Sequence, residues 1–126
     1  MAAGKFVTKQ TKNGGYTFNL KAPNGQVIAT SQTYKSEATL KVGIESVMKN
    51  APVAAVEDQT VEGFAVEKNP KFEVYADKKG EFRFRLKAGN GEIILASEGY
   101  VSKDGCKNGI ASVRKNAADS TIVEDL

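Results

Sequence analysis

The sequence contains no histidine and a single cysteine, Cys106, among its 126 residues. Without histidine the chain lacks the usual general base of a nucleophilic triad and the commonest metal ligand. One cysteine can neither close an internal disulfide nor hold a metal ion without partners. These absences predict that the protein is not an enzyme and that it has no catalytic residues, no cofactor and no metal.

Long hydrophobic runs and a strong charge excess are also missing. No apolar stretch approaches the ~20 residues of a membrane span, and none of signal-peptide length follows the first residues, so a cytoplasmic protein is expected. The net charge is +3. Residues 1–58 hold seven lysines and four acidic residues, whereas residues 59–126 hold eleven basic and eleven acidic residues. An excess this small does not by itself indicate a nucleic-acid partner.

The chain is an internal duplication. A shift of 66 positions aligns the segment that begins at Lys5 with the segment that begins at Lys71, with 22 identities over 47 positions. The chain therefore divides into a first repeat (1–58), a linker (59–70) and a second repeat (71–126). Because a unit of about 60 residues buries too little surface to be stable alone, the two repeats are expected to share one compact domain.

Alternating hydrophobic residues predict a β-hairpin at the start of each repeat. The hairpin loops are the three-residue segments K-N-G and K-K-G, and each is expected to place its last residue, Gly14 or Gly80, in the left-handed conformation. In the second repeat this loop predicts pairs that all face one side of the sheet. These pairs are Phe72–Leu86, Val74–Phe84 and Ala76–Phe82.

The remaining elements of each repeat are a third strand, a helix and a short last strand. Third strands are predicted over 27–31 and 93–97, and both are apolar on either face. The last strands, 54–58 and 121–125, each contain the letters V-E-D, which align after a one-residue insertion. The predicted order within a repeat is therefore β-β-β-α-β.

Ser36 and Ser102 are the predicted N-caps of the two helices. Each helix carries one apolar stripe that is expected to face the core. The stripes are Leu40, Ile44, Val47 and Ala51 in the first helix and Cys106, Ile110, Val113 and Ala117 in the second. Gly43 and Gly109 lie on the same face, where the missing side chain is expected to let the helix lie close to the sheet.

Four motifs occur twice at the same spacing: the K-F start, the [YF]-x-F-x-L-K-A-x-N-G hairpin, the S-x-x-Y-x-S segment and the G-I-x-S-V-x-K-N-A helix. In these motifs the chain resembles the YegP-like family of uncharacterised small bacterial proteins over nearly its whole length. The resemblance implies an α+β fold in which two tandem repeats form one antiparallel-rich sheet, with two helices on one face and C-terminal strands exchanged between the repeats. A monomer with pseudo-twofold symmetry is expected. Since no activity is established for such proteins, the resemblance implies no catalytic or binding residues.

The sheet face opposite the phenylalanine and leucine core is the candidate interaction surface. The hairpin register places Tyr75 across from Arg83 and Glu73 across from Arg85, so this face combines an aromatic ring with cations. The third strands are expected to add apolar side chains to it. The candidate surface consists of Val27, Ala29, Tyr75, Arg83, Arg85, Lys87, Ile93 and Leu95.

We interpret the chain as a non-enzymatic structural or protein-interaction scaffold that binds an unknown protein partner through this surface. The alternative is a weak, sequence-tolerant binder of single-stranded nucleic acid, because aromatic rings among cations on an open sheet can stack bases and neutralise phosphates. A third hypothesis is a small-ligand site or an active site in the crevice between sheet and helix, near Tyr34 and Tyr100. No set of chemically active residues supports this third hypothesis.

Overall fold

The computed structural model describes residues 4–117 and 121–125, which hold eight strands and two helices. In chain order these elements are β1 (Lys5–Gln10), β2 (Tyr16–Lys21), β3 (Val27–Thr30), α1 (Glu37–Asn50), β4 (Ala55–Asp58), β5 (Lys71–Ala76), β6 (Phe82–Lys87), β7 (Ile93–Ser97), α2 (Lys103–Ala117) and β8 (Thr121–Asp125). The order β-β-β-α-β therefore occurs twice, as predicted. Within this part of the chain, neither helix is long and apolar enough to cross a membrane.

The described strands form one mixed, mostly antiparallel sheet in the order β4-β5-β6-β7-β3-β2-β1-β8. The antiparallel pair β3–β7 joins the two repeats at the centre. At the two edges, β4 lies parallel to β5, and β8 lies parallel to β1. The last strand of each repeat thus pairs with the first strand of the other, which confirms the exchange of C-terminal strands.

The two hairpins have the predicted register. Phe72 pairs with Leu86, Val74 with Phe84 and Ala76 with Phe82, and β1 pairs with β2 in the equivalent way. Gly14 and Gly80 adopt φ angles of 82° and 83°, the left-handed conformation that the three-residue loops require.

Both helices begin and pack as predicted. Ser36 Oγ accepts a hydrogen bond from the Thr39 N–H (3.2 Å), and Ser102 Oγ accepts one from the Gly105 N–H (3.0 Å). The two apolar stripes, Cys106 included, belong to a single buried cluster with the inward-facing residues of the sheet. Helix α1 contacts β2 and β7, and helix α2 contacts β6 and β3, so each helix covers strands of both repeats.

The helix glycines leave room mainly for a tyrosine ring rather than for the sheet. A Cβ atom at Gly109 would lie 2.5 Å from Tyr100 Oη and 2.9 Å from Phe84 Cε2. The Tyr100 ring stacks on Phe84 with centroids 6.3 Å apart, so it fills the space between strand and helix. Gly43 and Tyr34 have the same relationship in the first repeat.

The predicted face of the third strands is wrong for two residues, because each strand contains a β-bulge. In the second repeat Leu86 pairs with Leu95 and Lys87 pairs with Ile93, so Ile94 is an extra residue between the two pairs. A bulge changes the direction of the side chains around it. Leu95 therefore turns into the core, where it is fully buried, and Ile94 joins the same buried cluster.

The first repeat has the same irregularity. Leu20 pairs with Ala29 and Lys21 pairs with Val27, which leaves Ile28 as the extra residue. Ala29 is buried in the core and is not part of an exposed surface. A uniform alternation along the strand cannot predict this change of face.

The insertion before β8 also changes a face. The alignment of the two V-E-D segments makes Val123 the equivalent of Val56. Val56 pairs with the core residue Phe72. In the structure Val123 instead pairs with Val7, on the other side of the sheet, and Ile122 lies beside the core residue Phe6. A shift of one residue in register moves a side chain to the opposite face of a strand.

Candidate interaction surface

The helices cover one face of the sheet, and we call the opposite face the open face. The open face carries the side chains that alternate with core residues along each strand. Of the predicted surface residues, it holds Val27, Tyr75, Arg83, Arg85, Lys87 and Ile93. Ile93 is 38% exposed, whereas Ala29 and Leu95 lie in the core.

The predicted cations of the open face are already paired with carboxylates. Arg85 Nε lies 2.6 Å from Glu73 Oε1, and Lys87 Nζ lies 3.4 Å from the same oxygen. Arg83 Nε lies 2.8 Å from Asp77 Oδ2. A bound phosphate would have to compete with these carboxylates for the same donors, which does not favour the nucleic-acid alternative.

The aromatic ring of this surface is also occupied. The Arg85 guanidinium carbon lies 4.7 Å from the centroid of the Tyr75 ring, in a cation–π contact. A base that stacked on this face of Tyr75 would have to displace Arg85. Binding of single-stranded nucleic acid stays a prediction without support from this geometry.

Sequence reasoning missed a buried cluster of charged side chains on the open face. Glu57 of β4 and Glu73 of β5 are directly paired, and both are almost fully buried together with Lys71. Lys71 Nζ lies 2.8 Å from Glu57 Oε1 and 3.4 Å from Glu73 Oε2. The hairpin register had placed Glu73 opposite Arg85 on this face, whereas Glu57 comes beside Glu73 only through the exchange of C-terminal strands that the family resemblance implied.

The linker covers this charged cluster. Because β4 and β5 are parallel, the chain has to return along the sheet between them, and the linker does so over the open face. The Glu67 N–H donates to Glu57 Oε1 (2.8 Å), and Gln59 Nε2 donates to Glu57 Oε2 (2.6 Å) and to Glu73 Oε2 (3.1 Å). The linker, which begins with turns over residues 59–63, is thus bound to the open face at this cluster.

Ionisation of the cluster follows from these contacts. Burial alone would raise the pKa of Glu57, but hydrogen bonds from Lys71, Gln59 and the Glu67 N–H lower this pKa to about 2. Burial likewise opposes ionisation of Glu73, yet Arg85, Lys87 and Lys71 lower its pKa. The Glu57 carboxylate raises the pKa of Lys71, so all three groups are charged near neutral pH.

The crevice between sheet and helix contains a cavity of about 370 Å³ beside α1 and β7, lined by side chains that include Tyr34 and Ile94. Tyr34 Oη is buried without a hydrogen-bond partner among the described residues, and burial raises the pKa of its phenol. Burial also raises the pKa of the Cys106 thiol to about 11, so it stays protonated and unreactive near neutral pH. Among the described residues no group of acidic or cysteine side chains gathers in the manner of a metal site.

Comparison with known proteins assigns both repeats to one family. The model of a domain of unknown function, DUF1508, matches residues 11–58 and 77–124. The UPF0339 protein YegP of Yersinia pestis is 41% identical over 126 residues, which cover all of this chain and 98% of that protein. A UPF0339 protein of Treponema denticola is 65% identical over 54 residues, which cover 43% of this chain and 93% of that shorter protein.

A solved structure has the same architecture. The solution NMR structure of yegP from E. coli, a protein of unknown function, superposes with a TM-score of 0.82 at 31% sequence identity. The match covers 99% of this chain and 95% of that one. The two-repeat sheet is therefore a shared architecture, and none of these relatives is named for an activity.

Proposed function

The chain belongs to the UPF0339 family, with the DUF1508 domain present twice in tandem, and on this fold we propose that it is a non-enzymatic interaction scaffold. Its open face binds an extended segment of a protein partner. The observation that carries this proposal is the linker, residues 59–70, because it is a segment without regular strands or helices that lies on this face.

The contacts of the linker indicate how the open face binds a polypeptide. Glu57 and Glu73 accept hydrogen bonds from the Glu67 N–H and from the Gln59 amide. A backbone N–H and a side-chain amide are groups that any extended peptide can offer. The face therefore recognises polypeptide through its own charged side chains rather than through a deep pocket.

Two apolar side chains also lie on the open face, one near each end of the central antiparallel pair β3–β7. Ile93 is 38% exposed and pairs with Lys87, and Val27 pairs with Lys21 in the first repeat. Apolar side chains with polar groups around them are a common composition of protein interfaces. The lysines would set the orientation of a partner around the apolar contact.

Site-specific photo-cross-linking tests the proposal. A benzoylphenylalanine at Ile93 reports contacts at the open face, and the same residue at Val42, which is 64% exposed on helix α1, is the matched control. In a lysate of the organism that encodes the chain, we expect a discrete cross-linked protein from Ile93 and none from Val42. Nuclease treatment should leave that product unchanged, since the partner is a protein.

Two outcomes would contradict the proposal. Equal cross-linking from both positions would mean that the open face is not a specific surface. Loss of the product after nuclease treatment would favour the nucleic-acid alternative instead.

A further inference from the structure

The two ends of the open face are equivalent in sequence position, but only one of them is covered by the linker. At the covered end, Lys71 and Lys87 pair across β5 and β6, and their Nζ atoms each lie 3.4 Å from a carboxylate oxygen of Glu73. Two lysines and one glutamate side chain thus form a carboxylate-binding arrangement within the second repeat.

The first repeat keeps both lysines and lacks the carboxylate. Lys5 pairs with Lys21 across β1 and β2 as Lys71 does with Lys87, and the position of Glu73 is taken by Val7. The strand beside it contributes Val123 where the second repeat has Glu57. Among the described side chains, no carboxylate forms an ion pair with Lys5 or Lys21.

The two valines and the two lysines line an open groove. Its cavity volume is about 360 Å³, and the turn that contains Pro23 and Gly25 contributes to its lining. At the covered end of the sheet, the equivalent turn meets the linker, because Asn69 Nδ2 lies 3.4 Å from the Cβ position at Gly91. A Cβ atom built at Gly25 would have no neighbour within 4 Å from elsewhere in the described part of the chain.

We propose that this groove binds an extended segment of a protein partner through a glutamate or aspartate side chain held between Lys5 and Lys21. The proposal rests on the proposed function and names the chemistry of its partner. The ligand carboxylate takes the place that Glu73 occupies in the second repeat, and apolar neighbours in the segment contact Val123, which is 39% exposed. Because two cations face one open groove and neither forms an ion pair with a described side chain, an acidic segment is the complementary ligand.

Titration of the full chain with short blocked peptides, followed by amide NMR shifts, tests the proposal. The probe is a valine- and threonine-rich pentapeptide with one central glutamate, and the control peptide has glutamine in its place. We expect the glutamate peptide to shift the amides around Lys5, Val7 and Lys21, and to bind about fivefold more tightly than the glutamine peptide.

Variants of the chain identify the groups that bind. Lys5→Gln and Lys21→Gln should each weaken the glutamate peptide about three- to fivefold, since each removes one exposed ion pair, whereas Lys12→Gln in the hairpin loop should have no effect. Val7→Glu should abolish the preference for the glutamate peptide although both lysines remain, because the chain then supplies its own carboxylate. If Val7→Glu does not fold, the two lysine variants still decide the question.

The outcomes separate this proposal from the proposed function. Equal binding of both peptides, or binding that is indifferent to Lys5 and Lys21, would overturn the carboxylate site. Peptide shifts centred on Ile93 would overturn it too, yet they would support the open face as an interaction surface. A short oligothymidylate can be added at the same concentration of negative charge as the glutamate peptide. If it displaces the peptide, the groove is a general anion site and a protein partner is refuted.

Discussion

Substitution of Lys71 by methionine tests the buried charged cluster most directly. The side chain keeps most of its length and its apolar character, but Glu57 loses its only cation among the described residues. Breaking a buried ion pair by removing one partner costs about 3–5 kcal/mol. Since Glu57 retains its hydrogen bonds from Gln59 and from the Glu67 N–H, we expect a loss near the lower end, about 3 kcal/mol.

Urea unfolding at pH 7 measures this loss, and the duplication offers a matched control. Lys5 holds the equivalent position in the first repeat but is exposed, so Lys5→Met should change the free energy of unfolding by no more than about 0.5 kcal/mol. Addition of Glu57→Gln to Lys71→Met should restore part of the lost stability, because no unpaired charge then remains at that position. Equal, small effects of Lys71→Met and Lys5→Met would refute the buried cluster.

Four further results are expected. The stabilisation from ionised Glu57 is present above about pH 4.5 and is lost as the pH falls toward 2. Glu57→Gln should therefore reduce the fall in the free energy of unfolding between pH 4.5 and pH 2. An unchanged fall in this variant would contradict the lowered pKa. Gly109→Ala should lower the free energy of unfolding by about 1–3 kcal/mol, because the new methyl group would collide with the Tyr100 ring. A rise in stability, from the higher helix propensity of alanine, would mean that the ring can move aside. Leu95→Thr should cost about 2–4 kcal/mol in urea unfolding and Ile93→Thr less than about 1 kcal/mol, whereas equal costs would contradict the bulge. The fragment Met1–Glu62 should be unfolded or self-associated by size-exclusion chromatography, because its last strand pairs only with the other repeat; a folded monomer would contradict this dependence.

Local sequence patterns predicted the hairpins and the helices well. The alternation of Phe82, Phe84 and Leu86, together with Gly80 in the loop, determines both the loop conformation and the pairs on the core face. These elements are encoded by residues close in sequence, so short-range rules are sufficient for them. The exchange of the last strands came from the family resemblance alone.

The errors arose where an extra residue or a distant contact decides the structure. The third strands looked apolar on both faces, and only the bulge at Ile94 determines that Leu95 faces the core and Ile93 the open face. The pairing of Glu57 with Glu73 depends on a register between strands of different repeats, which periodicity does not reveal. Ala29 and Leu95 were consequently misplaced in the predicted candidate surface, whereas its cations were placed on the correct face.

The open face of the two hairpins differs between the repeats beside core pairs that are the same. The core pairs Phe6–Leu20 and Phe72–Leu86 are the same in both repeats, whereas Glu73 on the open face corresponds to Val7. Topology explains this pattern, because the linker can connect β4 only to β5 and therefore covers only one end of the open face. Two unlinked repeats in the same arrangement would leave both ends uncovered. Fusion through a single linker thus gives a pseudo-twofold sheet one groove that the linker fills and one that the linker leaves uncovered.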